Sequence, residues 1–153
     1  MTIRIHRRGF LVTGMAVLTV AACGGETPPT VLSVTAQSAT GMNPGPDGAD
    51  RPVTLSILQM SGSGKFNSAD YFALQDPAAA LGEELVRTDQ IVLSPGAPAT
   101  KEIIVQAGVT SIGVIGGFRT PTGRSTRQLI SVPGSSTTMT ISVGPSGISV
   151  TTG

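Results

Sequence analysis

Residues 138–151 read TMTISVGPSGISVT: Met139, Ile141 and Val143 alternate with Thr138, Thr140 and Ser142, and Ile148 and Val150 resume the apolar face after Gly144-Pro145-Ser146-Gly147. Period-two alternation broken by turn-forming residues is the pattern of two half-buried strands joined by a tight connection. Further out, Leu32, Val34 and Ala36 oppose Ser33, Thr35 and Gln37, and within Val53 to Met60 the residues Val53, Leu55 and Ile57 oppose Thr54 and Ser56. Four further strands are expected over Gln90 to Leu93, Glu102 to Gln106, Ser111 to Phe118 and Arg127 to Val132. Ser94-Pro95-Gly96, Thr122-Gly123 and Pro133-Gly134 separate almost all of them. A helical pattern over Phe66 to Leu74 has Ser68 as its expected N-cap and Ala69, Phe72 and Ala73 on a buried side; Asp76-Pro77, Ala78 to Leu81 and Gly82 read as the cap, turn and end of a second short helix. The expectation is a mainly β fold, an antiparallel two-sheet β-sandwich over residues 30–153 with a helical insertion at about 66–82.

The N-terminus has a different logic. Arg4, His6, Arg7 and Arg8 precede an apolar run from Phe10 to Ala22, too short to span a bilayer as a helix, and Val20-Ala21-Ala22-Cys23 closes it. This reads as a lipoprotein signal over 1–22, with diacylglyceryl and acyl chains placed on Cys23 and a short tether over 23–29. Arg7-Arg8-Gly9-Phe10-Leu11 also resembles a twin-arginine signal, so two export routes stay open. Gly24, rather than an aspartate, follows the cysteine; by resemblance to lipoprotein sorting this directs the protein to the periplasmic face of the outer membrane.

Absences narrow the chemistry. The single histidine, His6, lies in the signal and the single cysteine is the lipidation site, so a processed chain has neither imidazole nor free thiol. Serine and cysteine triads, Cys/His zinc sites and a histidine base are excluded. Without the signal, seven basic residues face nine acidic ones, a weakly acidic balance ill suited to nucleic acid. Tyr71 is the only tyrosine and tryptophan is absent, which leaves few stacking platforms.

Several motifs have plain readings beside the chemical ones. Ser61-Gly62-Ser63-Gly64-Lys65 has Gln59 where a phosphate-binding loop needs glycine and Phe66 where it needs Ser or Thr, so it reads as a turn. Gly113, Gly116 and Gly117 permit close packing within a strand. Asn43, Asp47 and Asp50 offer oxygen ligands but no EF-hand spacing, and local turn bonding accounts for them. Arg119, Arg124 and Arg127 form either a partner-facing patch or solvated loop charge. A carboxylate hydrolase using Glu83 or Asp70, a small-ligand carrier and a pilot lipoprotein of another secretion machine are the competing functions.

The ordered string Asn43-Pro44, Arg51 to Gln59 with its spacing to Phe66, Ala69-Asp70-Tyr71-Phe72-Ala73-Leu74, Ala80-Leu81-Gly82, Glu84-Leu85, Leu93-Ser94-Pro95-Gly96 and Ile112 to Arg119, behind a lipobox, resembles the outer-membrane lipoprotein family of type VI secretion systems, TssJ. One departure is Thr126, where the family often has tryptophan before the arginine matched by Arg127. The resemblance implies a transthyretin-like sandwich and a non-enzymatic subunit that binds the periplasmic domain of the inner-membrane protein TssM. It also implies that the loop between the first two strands makes the contact: Gly41, Met42, Asn43, Pro44, Gly45, Pro46, Asp47, Gly48, Ala49 and Asp50. Met42 is expected to supply an apolar contact there, and Pro44 and Pro46 to limit the entropy lost on docking.

Overall fold

The computed structural model describes residues 24–153; the expected signal and Cys23 lie outside the described residues. Residues 24–29 are exposed throughout. Eight strands follow: β1 (Val31–Ser38), β2 (Val53–Met60), β3 (Leu85–Leu93), β4 (Ala99–Ile104), β5 (Ser111–Gly116), β6 (Arg127–Ser131), β7 (Thr137–Gly144) and β8 (Gly147–Thr152). They form two four-stranded sheets, ordered β4-β1-β7-β8 and β3-β2-β5-β6. The expected sandwich is present with one exception to antiparallel pairing among the strand pairs: β1 and β7 run parallel, with Leu32 beside Thr137 and Ser38 beside Val143. Between these strands the chain builds the whole opposite sheet, so no hairpin turn constrains their relative direction.

Alternation places the core. Leu32, Val34, Ala36, Met139, Ile141 and Val143 from one sheet pack against Val53, Leu55, Ile57, Ile112 and Val114 from the other. Each of these side chains larger than Ala36 contributes about 1.5–3 kcal/mol of burial free energy. At the end of β2 the inner face turns polar, and Gln59 is nevertheless fully buried. Its amide donates to the Ile104 carbonyl at 3.1 Å and its oxygen accepts the Gln106 amide at 2.7 Å, which ties the two sheets together.

The second half of β2 is buried on both faces, beyond the half-buried pattern read from residues 53–57. Leu58 and Met60, with Ile115 of β5, are covered by Phe66, Leu74 and Leu81 of the helical insertion. Gly113 makes this possible, because a Cβ there would stand 2.6 Å from Cε2 of Phe66. The expected close approach at this glycine is therefore an aromatic ring laid on bare backbone.

The insertion differs from the expected helix over 66–74. Helix α1 (Gly64–Ser68) starts earlier and stops at an extended Ala69, and a separate 3₁₀ turn follows at Ala73–Gln75. Ser68 therefore ends α1 instead of capping its start, and Phe72 is 77% exposed instead of buried. Ala69, at φ −70° and ψ +146°, leaves the helical region and ends the helix before Leu74 joins the same cluster as Phe66. The second helix, α2 (Pro77–Leu81), follows the sequence pattern: Asp76 Oδ1 accepts the Ala79 amide at 3.3 Å, Pro77 opens the first turn and Gly82 ends it. Strand β3 begins five residues before the expected Gln90, while β4 starts at Ala99 and stops at Ile104, short of Gln106.

Candidate partner-binding surface

The connection from β1 to β2 is a built arm with a buried base and an exposed tip. Asp50 forms the base: its Oδ2 accepts the Gly41 amide at 2.7 Å and its Oδ1 accepts that of Asn43 at 3.0 Å. Asn43 is 3% exposed, donates from Nδ2 to the Pro52 carbonyl at 3.2 Å and accepts the Arg119 amide at 2.9 Å through Oδ1. Above this base Pro44 and Asp50 form an antiparallel bridge, and Gly45 donates to the Ala49 carbonyl at 2.8 Å. Gly48, at φ +81°, closes the turn and donates to the Gly45 carbonyl at 3.0 Å. Only glycine adopts that backbone without strain.

Asp47 and Arg51 bridge the exposed tip through Nη2 and Oδ2 at 2.9 Å. The Arg51 hydrogen bond, helped by the Ala49 amide, holds the Asp47 carboxyl below the usual carboxylate range. A lowered folded-state pKa means that this bridge is intact at neutral and mildly acidic pH and is lost only as pH falls through that depressed value. The oxygens of Asn43, Asp47 and Asp50, weighed as calcium ligands, are thus engaged by amides and a guanidinium. Among the described residues no three His, Cys, Asp or Glu side chains group as a metal site.

Met42 points elsewhere. Its side chain is completely buried in the sandwich core, so the apolar contact expected of it is not available at the surface. The exposed part of the loop is Pro44, Pro46, Asp47, Gly48 and Ala49, with Gly45 half-buried.

Two of the three clustered arginines are internal braces, neither a patch nor free charge. Nη1 of Arg124 donates to the carbonyls of Met42 at 2.8 Å, Gly144 at 3.2 Å and Gly41 at 3.3 Å, and the guanidinium lies 5.5 Å from the Phe118 ring centroid. Arg127 does the same for the insertion: Nη1 reaches the carbonyls of Phe66 and Ala69 and Nη2 that of Asn67, which satisfies the open end of α1. Arg119 remains exposed. Sequence reading missed both braces, because nothing local marks an arginine whose partners lie as far as about 60 to 80 residues away.

Arg124→Met is expected to lower unfolding free energy by about 2–4 kcal/mol, since several part-buried carbonyls lose a charged donor. Arg124→Lys should restore only part of this, because a point ammonium cannot span the carbonyls that the planar fork reaches. Urea titration measures both; an unchanged midpoint for Arg124→Met would remove Arg124 from its bracing role.

The residues weighed for other chemistry are also placed. Glu84 Oε2 accepts the Lys65 amide at 3.1 Å, so a carboxylate already sits against the Ser61-to-Lys65 turn. Asp70 Oδ1 accepts the Ala73 amide at 2.8 Å, and Glu83 is exposed in the following 3₁₀ turn. The structure does not bring these carboxylates to one site. An open groove of about 440 Å³ beside Ser38, Ser125, Gln128 and Ser149 lies on the surface, while apolar side chains fill the space between the sheets. No helix among the described residues is long and apolar enough to cross a membrane.

This architecture has close counterparts. The type VI secretion lipoprotein T6SS lipoprotein TssJ1 from Pseudomonas aeruginosa superimposes with a TM-score of 0.76 at 27% identity, covering 82% of this chain and 98% of that one. Lip of Serratia marcescens, a membrane bound component of the type VI secretion system, shares the fold with a TM-score of 0.74 at 23% identity, covering 81% and 97%. A chain of a type VI membrane complex gives 0.71 at 20% identity, covering 81% and 99%. No curated protein matches in sequence. The family model for the type VI secretion lipoprotein, with VasD, EvfM and TssJ among its names, matches residues 30–146. With three quarters of its length matched by the family model and the fold shared with TssJ1, the chain belongs to the type VI secretion lipoprotein family, TssJ.

Proposed function

We propose that this chain is the outer-membrane anchor of a type VI membrane complex, lipidated at Cys23 and bound through the tip of the β1–β2 arm to the periplasmic domain of TssM. The proposal includes the absence of any enzymatic step, in keeping with a family of structural secretion lipoproteins. The observation that carries it is the construction of the arm, whose base is locked by Asp50, Asn43 and Arg124 while Pro44, Pro46, Asp47, Gly48 and Ala49 face solvent. A surface already held in shape loses little conformational entropy on docking, so more of its contact energy appears as affinity.

The test uses the full lipoprotein in detergent micelles and the periplasmic domain of TssM from the same genome. Wild type should bind in a saturable manner, and Pro46→Gly combined with Asp47→Ala should weaken binding about tenfold or more while leaving thermal unfolding nearly unchanged. Absence of binding by wild type would overturn the anchor reading. Unaltered affinity in the tip variant would overturn the assignment of the arm.

A further inference from the structure

A second surface feature lies at the same pole as the arm. β1 enters from Thr30, and its first residue pairs with Ile104, whose carbonyl bonds Gln59 near the end of β2. The start of β1 and the end of β2 therefore share one pole. The arm leaves from the end of β1 and leads into the start of β2, so it occupies the opposite pole, a strand length of about 26 Å away.

The helical insertion reaches that distal pole at Tyr71. The Tyr71 hydroxyl donates to the Phe118 carbonyl at 3.1 Å and accepts the Phe118 amide at 2.9 Å. The next amide, of Arg119, is the one bound by Asn43 in the base of the arm. Through these bonds the insertion and the arm form one braced unit. On it stands Phe72, 77% exposed and the most exposed large apolar side chain among the described residues. It rests edge-on against Tyr71 at a centroid separation of 5.4 Å, and Asp70 caps the turn that follows it.

We infer that Phe72 is an anchor residue of the partner-binding surface, which extends from the arm across the Tyr71–Phe118 brace, and that the partner supplies an apolar pocket for its ring. The inference rests on the proposed TssM contact and names a second part of that interface. A lone exposed aromatic costs hydration free energy wherever it stands, and at the core of an interface the same ring is a typical source of concentrated binding energy. Its place opposite the tethered strand end favours a protein occupant over the anchoring bilayer. The Tyr71 contact and the cap at Asp70 restrict its movement before docking, which reduces the ordering cost.

The experiment measures affinity of full detergent-solubilised lipoprotein for the TssM periplasmic domain, with binding to anionic phospholipid vesicles as a second readout. Phe72→Ala and Phe72→Asp should weaken TssM binding on the order of 10- to 100-fold, with thermal unfolding and vesicle binding unchanged. Phe72→Leu should retain part of the affinity. If wild type and the arm-tip variant behave as expected but the Phe72 variants bind TssM like wild type, this inference alone fails. Loss of vesicle binding without loss of TssM binding would reassign Phe72 to a lipid contact. Failure of wild type to bind TssM would remove both the anchor reading and this extension of it.

Discussion

A Cys23→Ser chain is expected to disappear from the membrane fraction and accumulate as soluble periplasmic protein, with secretion abolished. The proposed anchor consists of acyl chains on sulfur, and each buried methylene contributes about 0.8 kcal/mol, so two or three chains hold a protein that one chain holds only reversibly. Serine cannot accept the diacylglyceryl group as a thioether, and the substitution removes that whole contribution at once. The folded domain should be indifferent to the loss. Residues 24–29 are exposed, and the first strand begins at Val31. Partner affinity should therefore match that of the lipidated form, which separates attachment from recognition. Fractionation with a carbonate wash, a secretion assay and mass spectrometry of the processed N-terminus check the expectation. Retention of Cys23→Ser in the washed membrane, or an unmodified thiol in the wild type, would refute the lipid anchor.

Gly147→Ala should be the most damaging of the single-methyl additions, lowering stability by roughly 4 kcal/mol or more against a typical total of about 5–15. Gly147 sits at φ +106°, where an L side chain is strained, and opens β8 as a parallel bridge to Ser125. A Cβ would collide with the Ser125 carbonyl oxygen and stand 2.5 Å from its nitrogen. Those atoms are backbone and are already committed, since Ser125 donates to the Ser146 carbonyl and accepts from Ile148, each at 2.8 Å. Relief requires opening the corner where the two sheets meet. Gly96→Ala is the matched control: φ is +75°, yet nothing lies within 4 Å of the added carbon. Its cost should be about 1–2 kcal/mol from backbone strain alone. Urea unfolding of both variants gives the comparison; equal losses would mean that the Ser125 contact yields and the corner is soft.

The strands with clean alternation were legible because one face of each meets the core and the other meets water. β1, β7 and β8 keep the registers that Leu32, Met139 and Ile148 announce. β3 was only half visible, since Leu85 to Thr88 lie half-buried or exposed and the residue that turns inward is Asp89. That aspartate is 6% exposed and paired with Arg87 and Lys101, a compensation that composition cannot reveal. The edge strand β4 buries Ile103 alone among its residues, too little signal to fix its ends. In the insertion, local preference favoured a cap at Ser68, but the helix ends there at an extended Ala69, with its last carbonyls taken by Arg127 from a distant strand. The arm was legible as a long turn rich in Gly, Pro and Asp. Its burial pattern was not, because Met42 and Asn43 turn inward to partners distant in sequence. At Thr126, the departure from the family pattern, the main chain still pairs, its carbonyl accepting the Gly116 amide at 2.9 Å, and Arg127 beside it secures α1.

The parallel pairing of β1 has a mechanical consequence. The strand next to residues 24–29, the proposed tether, is flanked on both sides, by β4 over Val31–Ala36 and by β7 over Leu32–Ser38. A tug applied along the tether while the far pole is gripped loads those two ladders lengthwise, so their bonds share the strain and must yield together. Had the tethered strand lain at a sheet edge and been pulled sideways, it would peel one bond at a time. Rupture under load is governed by the unfolding barrier, and this placement raises that barrier against any pull delivered through residues 24–29, as the proposed anchor would deliver it.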